Sequence, residues 1–474
     1  MSKSIKFGTE GWRAVIAEDF TFDNVELVTK GIIKYITEEK KDTKPIIIGY
    51  DTRFLADKFA QKAANTFIKY GIKVKLTKEA SPTPAVALNA KLLNTAGAIM
   101  FTASHNSHEY CGLKYIPDYA GPATTDITDK IVYHIDNLQT NKEINLKSTK
   151  NQSYIELLDP KPLYLDWIRK LVDTEVIKSK DFKVYYDPMY STGIGYMDTL
   201  LEECNVKVHS INNYRDPLFG GKLPEPREKF LSDLISMVKT DSNAIGLAND
   251  GDGDRFGIIN EEGKYLHPNI VISLLLYHLI KNKKLKGSIV RSIATTHLLD
   301  DIAQKYHLPL YETPVGFKYI GEIMRKETVL IGGEESGGMS IINNIPQKDG
   351  ILANLSILEA MAYSNKTLVE LEKEMIKDIG REYFYKRVDL KVDNDIKERF
   401  IKNISIKPPE IIAGERVSRV STLDGTKLYL NDGSWLLARP SGTEPLLRIY
   451  FETSSSDKLE NMIANIKEML DKTK

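Results

Sequence analysis

Cysteine is nearly absent from this sequence: of 474 residues, only Cys111 and Cys204 carry thiols. That excludes a disulfide scaffold and suits a reducing compartment. Net charge is absent too, because Lys+Arg and Asp+Glu both number 65. No global field is therefore available to draw in nucleic acid or an anionic membrane, and any anionic ligand must be gripped by a local cluster of cations. Long apolar runs are missing as well. The longest, Val271 to Ile280, is interrupted by Tyr277 and His278 and is too short to cross a bilayer. Met1-Ser2-Lys3-Ser4-Ile5-Lys6 lacks the apolar stretch of a signal peptide. The expectation from these absences is a cytoplasmic protein without nucleic-acid or membrane partners.

What is present is a globular composition, 42% hydrophobic and 27% charged, in a chain too long for one ordinary core. About three to four domains are expected. Short apolar runs read as strands at Ile46 to Gly49, Ala98 to Phe101, Lys183 to Tyr186, Ala244 to Ala248, Ser288 to Val290 and Val329 to Ile331. Helical patterns lie between them, which favours α/β units with mainly parallel sheets. Ligands of such sheets gather at the carboxyl ends of strands. Ser104, Asp250 and Glu334 each follow a strand-like run. A polar stretch from about Thr140 to Ser153 reads as a linker, with weaker boundaries near Gly257 to Gly263 and Gly380 to Tyr383. In the last hundred residues, Lys427 to Leu430 and Trp435 to Ala438 flank Asn431-Asp432-Gly433-Ser434, a hairpin signal. Leu446 to Phe451 reads as another strand. Ser456-Asp457 is read as the cap of a final helix with apolar residues at Leu459, Met462, Ile463, Ile466, Met469 and Leu470.

Four loops carry chemistry. Thr102-Ala103-Ser104-His105-Asn106 ends a strand-like run, and Ser104 is a nucleophile candidate if a base and neutralising charges are at hand. His105, His108 and Lys114 are close in sequence, and Gly112 would let backbone approach a ligand. Alone, this segment reads more readily as a turn whose side chains bond their own backbone. In Asp250-Gly251-Asp252-Gly253-Asp254-Arg255, carboxylates on alternate residues suit one hard cation. An EF-hand is excluded because Arg255 stands where that loop needs glycine, and strand-like runs replace its helices. Open coordination positions then suit Mg²⁺ with a phosphate oxygen among its ligands. Arg439-Pro440-Ser441-Gly442-Thr443, with Arg448, offers guanidinium forks, hydroxyls and backbone N–H groups for a phosphate dianion. It is not a Walker loop. Gly332-Gly333-Glu334-Glu335-Ser336-Gly337-Gly338 brings carboxylates and a hydroxyl together, a natural grip for a sugar diol. Phe7-Gly8-Thr9-Glu10-Gly11-Trp12-Arg13 could set Arg13 against an anion. Arg291, Lys318 and Lys348 are further candidate cations, each uninformative singly.

Taken together and in this order, the segments at Phe7-Gly8-Thr9, Thr102 to Asn106, Asp250 to Arg255, Gly333 to Gly337 and Arg439 to Thr443 resemble the α-D-phosphohexomutase superfamily, which holds phosphoglucomutases and phosphomannomutases. The resemblance covers essentially the whole chain. It implies an α/β protein of four domains around a central cleft, three α/β mixed-sheet domains and a C-terminal α+β domain. The expected bounds are 1–142 with the phosphoserine loop, 143–260 with the metal loop, 261–378 with the sugar loop and 379–474 with the phosphate loop. It implies that Ser104 is phosphorylated and that one Mg²⁺ per chain is held by Asp250, Asp252, Asp254 and the phosphoserine. Arg13, Arg255, Lys114 and His105 would surround the transferring group, with Arg291, Lys318 and Lys348 as additional cleft cations. Glu334 and Ser336 would hold sugar hydroxyls. Arg439, Ser441, Gly442, Thr443 and Arg448 would hold the other phosphate.

The chemistry so implied is transfer from phosphoserine to a hexose monophosphate, through a hexose 1,6-bisphosphate that also serves as activator. Lys114 is favoured as the base, with His105 the alternative. The chain departs from the common pattern at Ser107, where proline is usual, and at Cys111, where asparagine is usual. The Glu-Glu-Ser sugar loop, Gly11-Trp12-Arg13 and Gln347-Lys348-Asp349-Gly350 look closer to glucomutases than to mannomutases. The expected reaction is therefore glucose 1-phosphate to glucose 6-phosphate. Mannose phosphate, dual specificity or glucosamine phosphate are the alternatives within the family. A metal-dependent sugar phosphatase and a non-catalytic sugar-phosphate sensor stand outside it. The expected partners are small sugar phosphates, and the expected assembly is a monomer or homodimer.

Overall fold

The computed structural model describes residues 5–8, 10–140, 154–241, 243–440 and 446–473. The chain divides into two compact units. One comprises Met1–Gly287 and Gly316–Glu372, the other Ser288–Val315 and Lys373–Lys474.

The first unit holds two complete mixed sheets. Six described strands form the first, in the spatial order Trp12–Val15, Tyr110–Pro117, Gly97–Phe101, Ile46–Tyr50, Val74–Thr77 and Ile155–Leu158. Ile46–Tyr50 and Gly97–Phe101 are buried along their whole length, so both read as continuous apolar runs rather than alternating ones. They pair in parallel, and Tyr110–Pro117 returns antiparallel, setting Met100 opposite Lys114. The helix Phe22–Glu38 packs its Val25, Val28, Ile32 and Ile36 stripe into this core, its first turn capped by the Thr21 hydroxyl accepting from Asn24 N. Trp12 stacks on Phe20 at 4.5 Å, and Phe20 meets Phe59 edge-on at 4.9 Å. The second sheet runs Tyr265–Leu266, Phe256–Ile259, Ala244–Asn249, Lys183–Asp187 and Lys207–Ser210. A further antiparallel pair, Val329–Gly333 with Met339–Ile341, carries the loop at Glu334. The helix Gly350–Ser364 is buried almost all round, and Asp349 caps it by accepting from Leu352 N at 2.9 Å.

Within the second unit, Ser288–Ser292 and Leu310–Thr313 pair in parallel across the helix Leu298–Lys305. The C-terminal strands form an antiparallel sheet in the order Phe384–Lys391, Leu446–Thr453, Trp435–Pro440, Thr426–Leu430, Glu415–Ser421 and Ile411–Ile412. Its two faces follow the period of two. Leu436, Ala438, Leu447 and Ile449 share a core with Phe400, Met462 and Ile466, whereas Trp435, Leu437 and Tyr450 pack with Ile293 and Ala294.

The fold class expected from the sequence holds: three α/β mixed-sheet domains and a C-terminal domain with an antiparallel sheet. All six early strands are present within a residue or two of their expected bounds. The parallel pairs favoured by the sequence are present, with Trp12–Val15, Tyr110–Pro117, Phe256–Ile259 and Met339–Ile341 running antiparallel to their neighbours. One reading is corrected. The last helix is capped by Ser455, which accepts from Lys458 N, one residue before the expected cap. Among the described residues no helix is long and apolar enough to cross a membrane.

Candidate active site

Ser104 lies three residues beyond the strand Gly97–Phe101, almost fully buried, with φ of 53°. Left-handed backbone is costly for a residue with a Cβ and persists only where its surroundings over-determine it. Here the Thr102 hydroxyl accepts from Ser104 N at 2.8 Å. The Ser104 hydroxyl donates to Asp250 Oδ2 at 2.9 Å, and His105 Nδ1 stands 3.4 Å from the same Ser104 oxygen. Gly112 has a packing role. A Cβ there would lie 2.3 Å from the Thr102 carbonyl and 2.9 Å from that of Trp12, so the glycine allows close strand packing beneath the loop.

Asp250, Asp252 and Asp254 follow the strand Ala244–Asn249 and are completely buried. One oxygen from each lies within 4.8 Å of the others. The glycines between them are required. A Cβ at Gly251 would stand 2.4 Å from the Ser104 carbonyl, and Gly253 has φ of 70°. Asp252 Oδ2 accepts from Thr83 Oγ1 at 2.6 Å and from Lys114 Nζ at 2.7 Å. Asp252 Oδ1 and Asp254 Oδ1 are buried with no hydrogen-bond partner. Buried carboxylate oxygens left unmatched are costly, and hard oxygen donors converging on one point suit Mg²⁺. The residues present fit that ion. Burial and the charges of Asp252 and Asp254 push the Asp250 carboxyl well above its ordinary range.

The cations divide into those that join this cluster and those that do not. Arg13 Nη1 donates to Asn106 Oδ1 at 2.6 Å. The Arg255 backbone N–H donates to Asp250 Oδ1 at 3.0 Å, and its guanidinium lies 3.6 Å from Glu225. Lys348 Nζ is 2.6 Å from Glu10 and 3.2 Å from Asp254. Lys114 also sits 3.4 Å from Asp254 and from Glu10. Burial alone would push the Lys114 ammonium down, but Asp252, Asp254 and Glu10 outweigh it and hold the pKa above the usual lysine value. His105 moves the other way: burial, then the charges of Arg255 and Arg13, drive it well below its ordinary value, leaving a neutral ring. Two further expected cations have partners of their own. Lys318 donates to Thr125 Oγ1 at 3.0 Å and lies 5.0 Å over the Tyr319 ring. Arg291, in the second unit, spends its guanidinium on Asp300 at 2.6 and 2.8 Å and on Glu312 at 2.6 Å.

In the loop after Val329–Gly333, Glu334 is buried and its Oε1 accepts from Gly316 N at 2.8 Å. Burial pushes its carboxyl up to about 7 against the pull of Lys348. Ser336 is half-buried beside it, and Gly337 turns the chain with φ of 90°. In the second unit, Arg439 and Arg448 are direct cross-strand partners, and Arg439 Nε donates to Asp424 at 2.8 Å. Ser441, Gly442 and Thr443, like Thr9, lie outside the described residues.

Sequence reasoning missed three members of the cluster. Glu10 holds Lys348 and Lys114, and it stood in view inside the Phe7 to Arg13 segment, where only the cation was weighed. Thr83 touches Asp252 with no motif around it to give it away. Arg53, fully buried beneath the Ser104 loop, follows Asp51 at the end of a legible strand. A charged pair at such a strand end was the available signal.

Comparison with known proteins adds a second line. Family descriptions match four successive stretches: "Phosphoglucomutase/phosphomannomutase, alpha/beta/alpha domain I" over residues 4–142, domain II over 162–263, domain III over 267–379 and the C-terminal domain over 391–469. A phosphoglucomutase/phosphomannomutase of Thermococcus kodakarensis is 28% identical over 452 residues, covering 95% of each chain. A phosphoglucosamine/phosphogalactosamine mutase of Sulfurisphaera tokodaii is 29% identical over 469 residues, covering 98% of this chain and 99% of its own. A crystal structure from Thermus thermophilus, provisionally named a phosphomannomutase, matches with a TM-score of 0.87 at 30% identity, over 99% of this chain and 100% of that one.

Proposed function

The chain belongs to the phosphoglucomutase/phosphomannomutase family, and from that premise we propose that it interconverts α-D-glucose 1-phosphate and glucose 6-phosphate through phosphorylated Ser104 and a hexose 1,6-bisphosphate. The observation that carries this reading is the Ser104 hydroxyl hydrogen-bonded to Asp250 inside a buried aspartate triad. A serine used only for binding needs no such partner.

Asp250, Asp252 and Asp254 would hold one Mg²⁺, whose chemistry when bound is to draw charge from the phosphoryl oxygens. The residues do the rest. Arg13, Arg255, Lys114 and Lys348 surround the triad with fixed positive charge, so charge spreading over the phosphoryl oxygens in the transition state meets preorganised partners. The candidate proton acceptors for the incoming sugar hydroxyl are Lys114, whose Nζ stands 2.7 Å from Asp252, and His105, whose Nδ1 stands 3.4 Å from the Ser104 oxygen. Glu334 and Ser336 are assigned to the sugar hydroxyls, with Glu334 poised near neutrality to adapt to them.

A mutase, unlike a phosphatase, needs a second anion grip, because the bisphosphate must present either phosphate to Ser104. Arg439 and Arg448 supply one. They are direct cross-strand partners, and their guanidinium groups have the donor geometry that suits a phosphate. Glucosamine phosphate is the second reading, supported by the name of the Sulfurisphaera relative. The deciding experiment is a panel of glucose, mannose and glucosamine phosphates with Mg²⁺ and trace hexose bisphosphate. Glucose phosphate should give the highest kcat/KM. A value far below either rival reassigns the sugar, and inorganic phosphate released in step with substrate loss would overturn the mutase itself.

A further inference from the structure

We propose that Arg53 is the positioning residue that holds the Ser104 loop in its reacting shape, an inference resting on the phosphoserine reading above. Arg53 is fully buried, and each of its five N–H groups has a partner. Nε donates to Asp51 Oδ2 at 3.0 Å. Nη2 donates to the carbonyls of Ser104 at 2.5 Å and Asn106 at 2.7 Å, and Nη1 to those of Ser107 at 2.6 Å and Tyr110 at 3.1 Å. One guanidinium therefore gathers four carbonyls from seven successive residues, including the nucleophile's own. Asp51 is anchored at the carboxyl end of the strand Ile46–Tyr50, and its Oδ1 accepts from Arg53 N at 3.0 Å. The Phe219 ring closes the far face of the guanidinium, 4.9 Å from its central carbon.

The arrangement answers a specific problem. Ser104 occupies left-handed backbone, and no glycine stands among residues 102–110 to relieve the loop. Carbonyls turned towards one buried point repel one another unless a cation with several directed donors lies between them. Lysine brings three donors without a planar fork, so it cannot span four carbonyls and a carboxylate. Arg53 touches no reacting atom. It acts through the direction in which Ser104 presents its oxygen to Asp250 and the incoming sugar.

The test compares the full-length wild-type chain with Arg53→Lys and Arg53→Ala by amide hydrogen exchange and by timed uptake of phosphate on Ser104 from glucose 1,6-bisphosphate. In Arg53→Lys, exchange across residues 102–112 should quicken about tenfold or more while the strand Ile46–Tyr50 keeps its protection. Phosphate uptake and kcat should fall about 100-fold with little change in KM. Millimolar guanidinium should restore part of the Arg53→Ala loss. Exchange unchanged in the loop, or raised evenly across the first unit, would overturn the assignment. So would loss of activity in proportion to loss of folded protein without guanidinium rescue. A wild-type chain that takes up no phosphate defeats the phosphoserine reading instead, and loop exchange still decides the role of Arg53.

Discussion

The Ser104–aspartate cluster in the first unit and the Arg439–Arg448 pair in the second are built by opposite means. The cluster is assembled from distant chain segments: Ser104 meets Asp250 across 146 positions, Lys114 meets Asp252 across 138, and Arg13 meets Asn106 across 93. Nearly every group in it is buried and balanced against another charge. The arginine pair comes from two adjacent strands of one antiparallel ladder, nine residues apart in sequence, and its geometry is fixed by register alone. Chemistry at a phosphorus atom needs charges converging from several directions, which only tertiary structure can supply. Two guanidinium forks side by side suit a phosphate, the role proposed for this pair, and two neighbouring strands supply them locally.

That contrast can be broken by substitution, beginning with the largest expected effect. Ser104→Ala should lower kcat about 10³-fold or more even with hexose bisphosphate supplied, because it removes the hydroxyl that meets Asp250. Steady-state turnover near wild type would end the phosphoenzyme account. Asp252→Asn should lower kcat about 10²- to 10³-fold. The Mg²⁺ needed for half-activity should rise in the same variant, which a metal titration reads directly. Arg448→Ala should act differently, raising KM about 10- to 100-fold with kcat largely kept. Equal losses in kcat would place Arg448 in the chemical step and dissolve the division of labour between the two regions.

The smallest effect is on stability. The Glu334 carboxyl ionises at about 7 in the fold against 4.5 when exposed. Between those values the folded chain keeps a proton that the unfolded chain has lost. Its contribution to stability therefore falls as pH rises from 4.5 to 7 and is constant above. Glu334→Gln should flatten this decline, shifting Tm at about pH 7.5 relative to about pH 5 by on the order of a few degrees. Thermal melts of both chains at the two pH values check it.

What could be read from the sequence follows the same division. Runs such as Ile46 to Gly49 and Ala98 to Phe101 are continuous because both faces are covered, so burial itself writes the signal. Their direction is not written there: Tyr110–Pro117 looks like any other strand yet returns antiparallel. The aspartates at 250, 252 and 254 were legible because one loop carries them all. Thr83 and Arg53 were not, since each matters only through a partner brought to it by the fold. Charge alone does not say which partner a cation meets. Lys348 and Arg291 are equally buried cations, but Lys348 is drawn to Glu10 and Asp254 whereas Asp300 and Glu312 absorb Arg291. Nothing in the letters around either one separates them.

The central claim is that Ser104 both gives and recovers a phosphoryl group. It is tested most directly by loading the purified chain with glucose 1,6-bisphosphate labelled in its phosphates, mapping the label, and chasing with unlabelled glucose 6-phosphate in Mg²⁺. The account predicts one phosphate per chain, on Ser104, that passes to sugar phosphate during the chase. Label on another residue, or label leaving as inorganic phosphate, would contradict it.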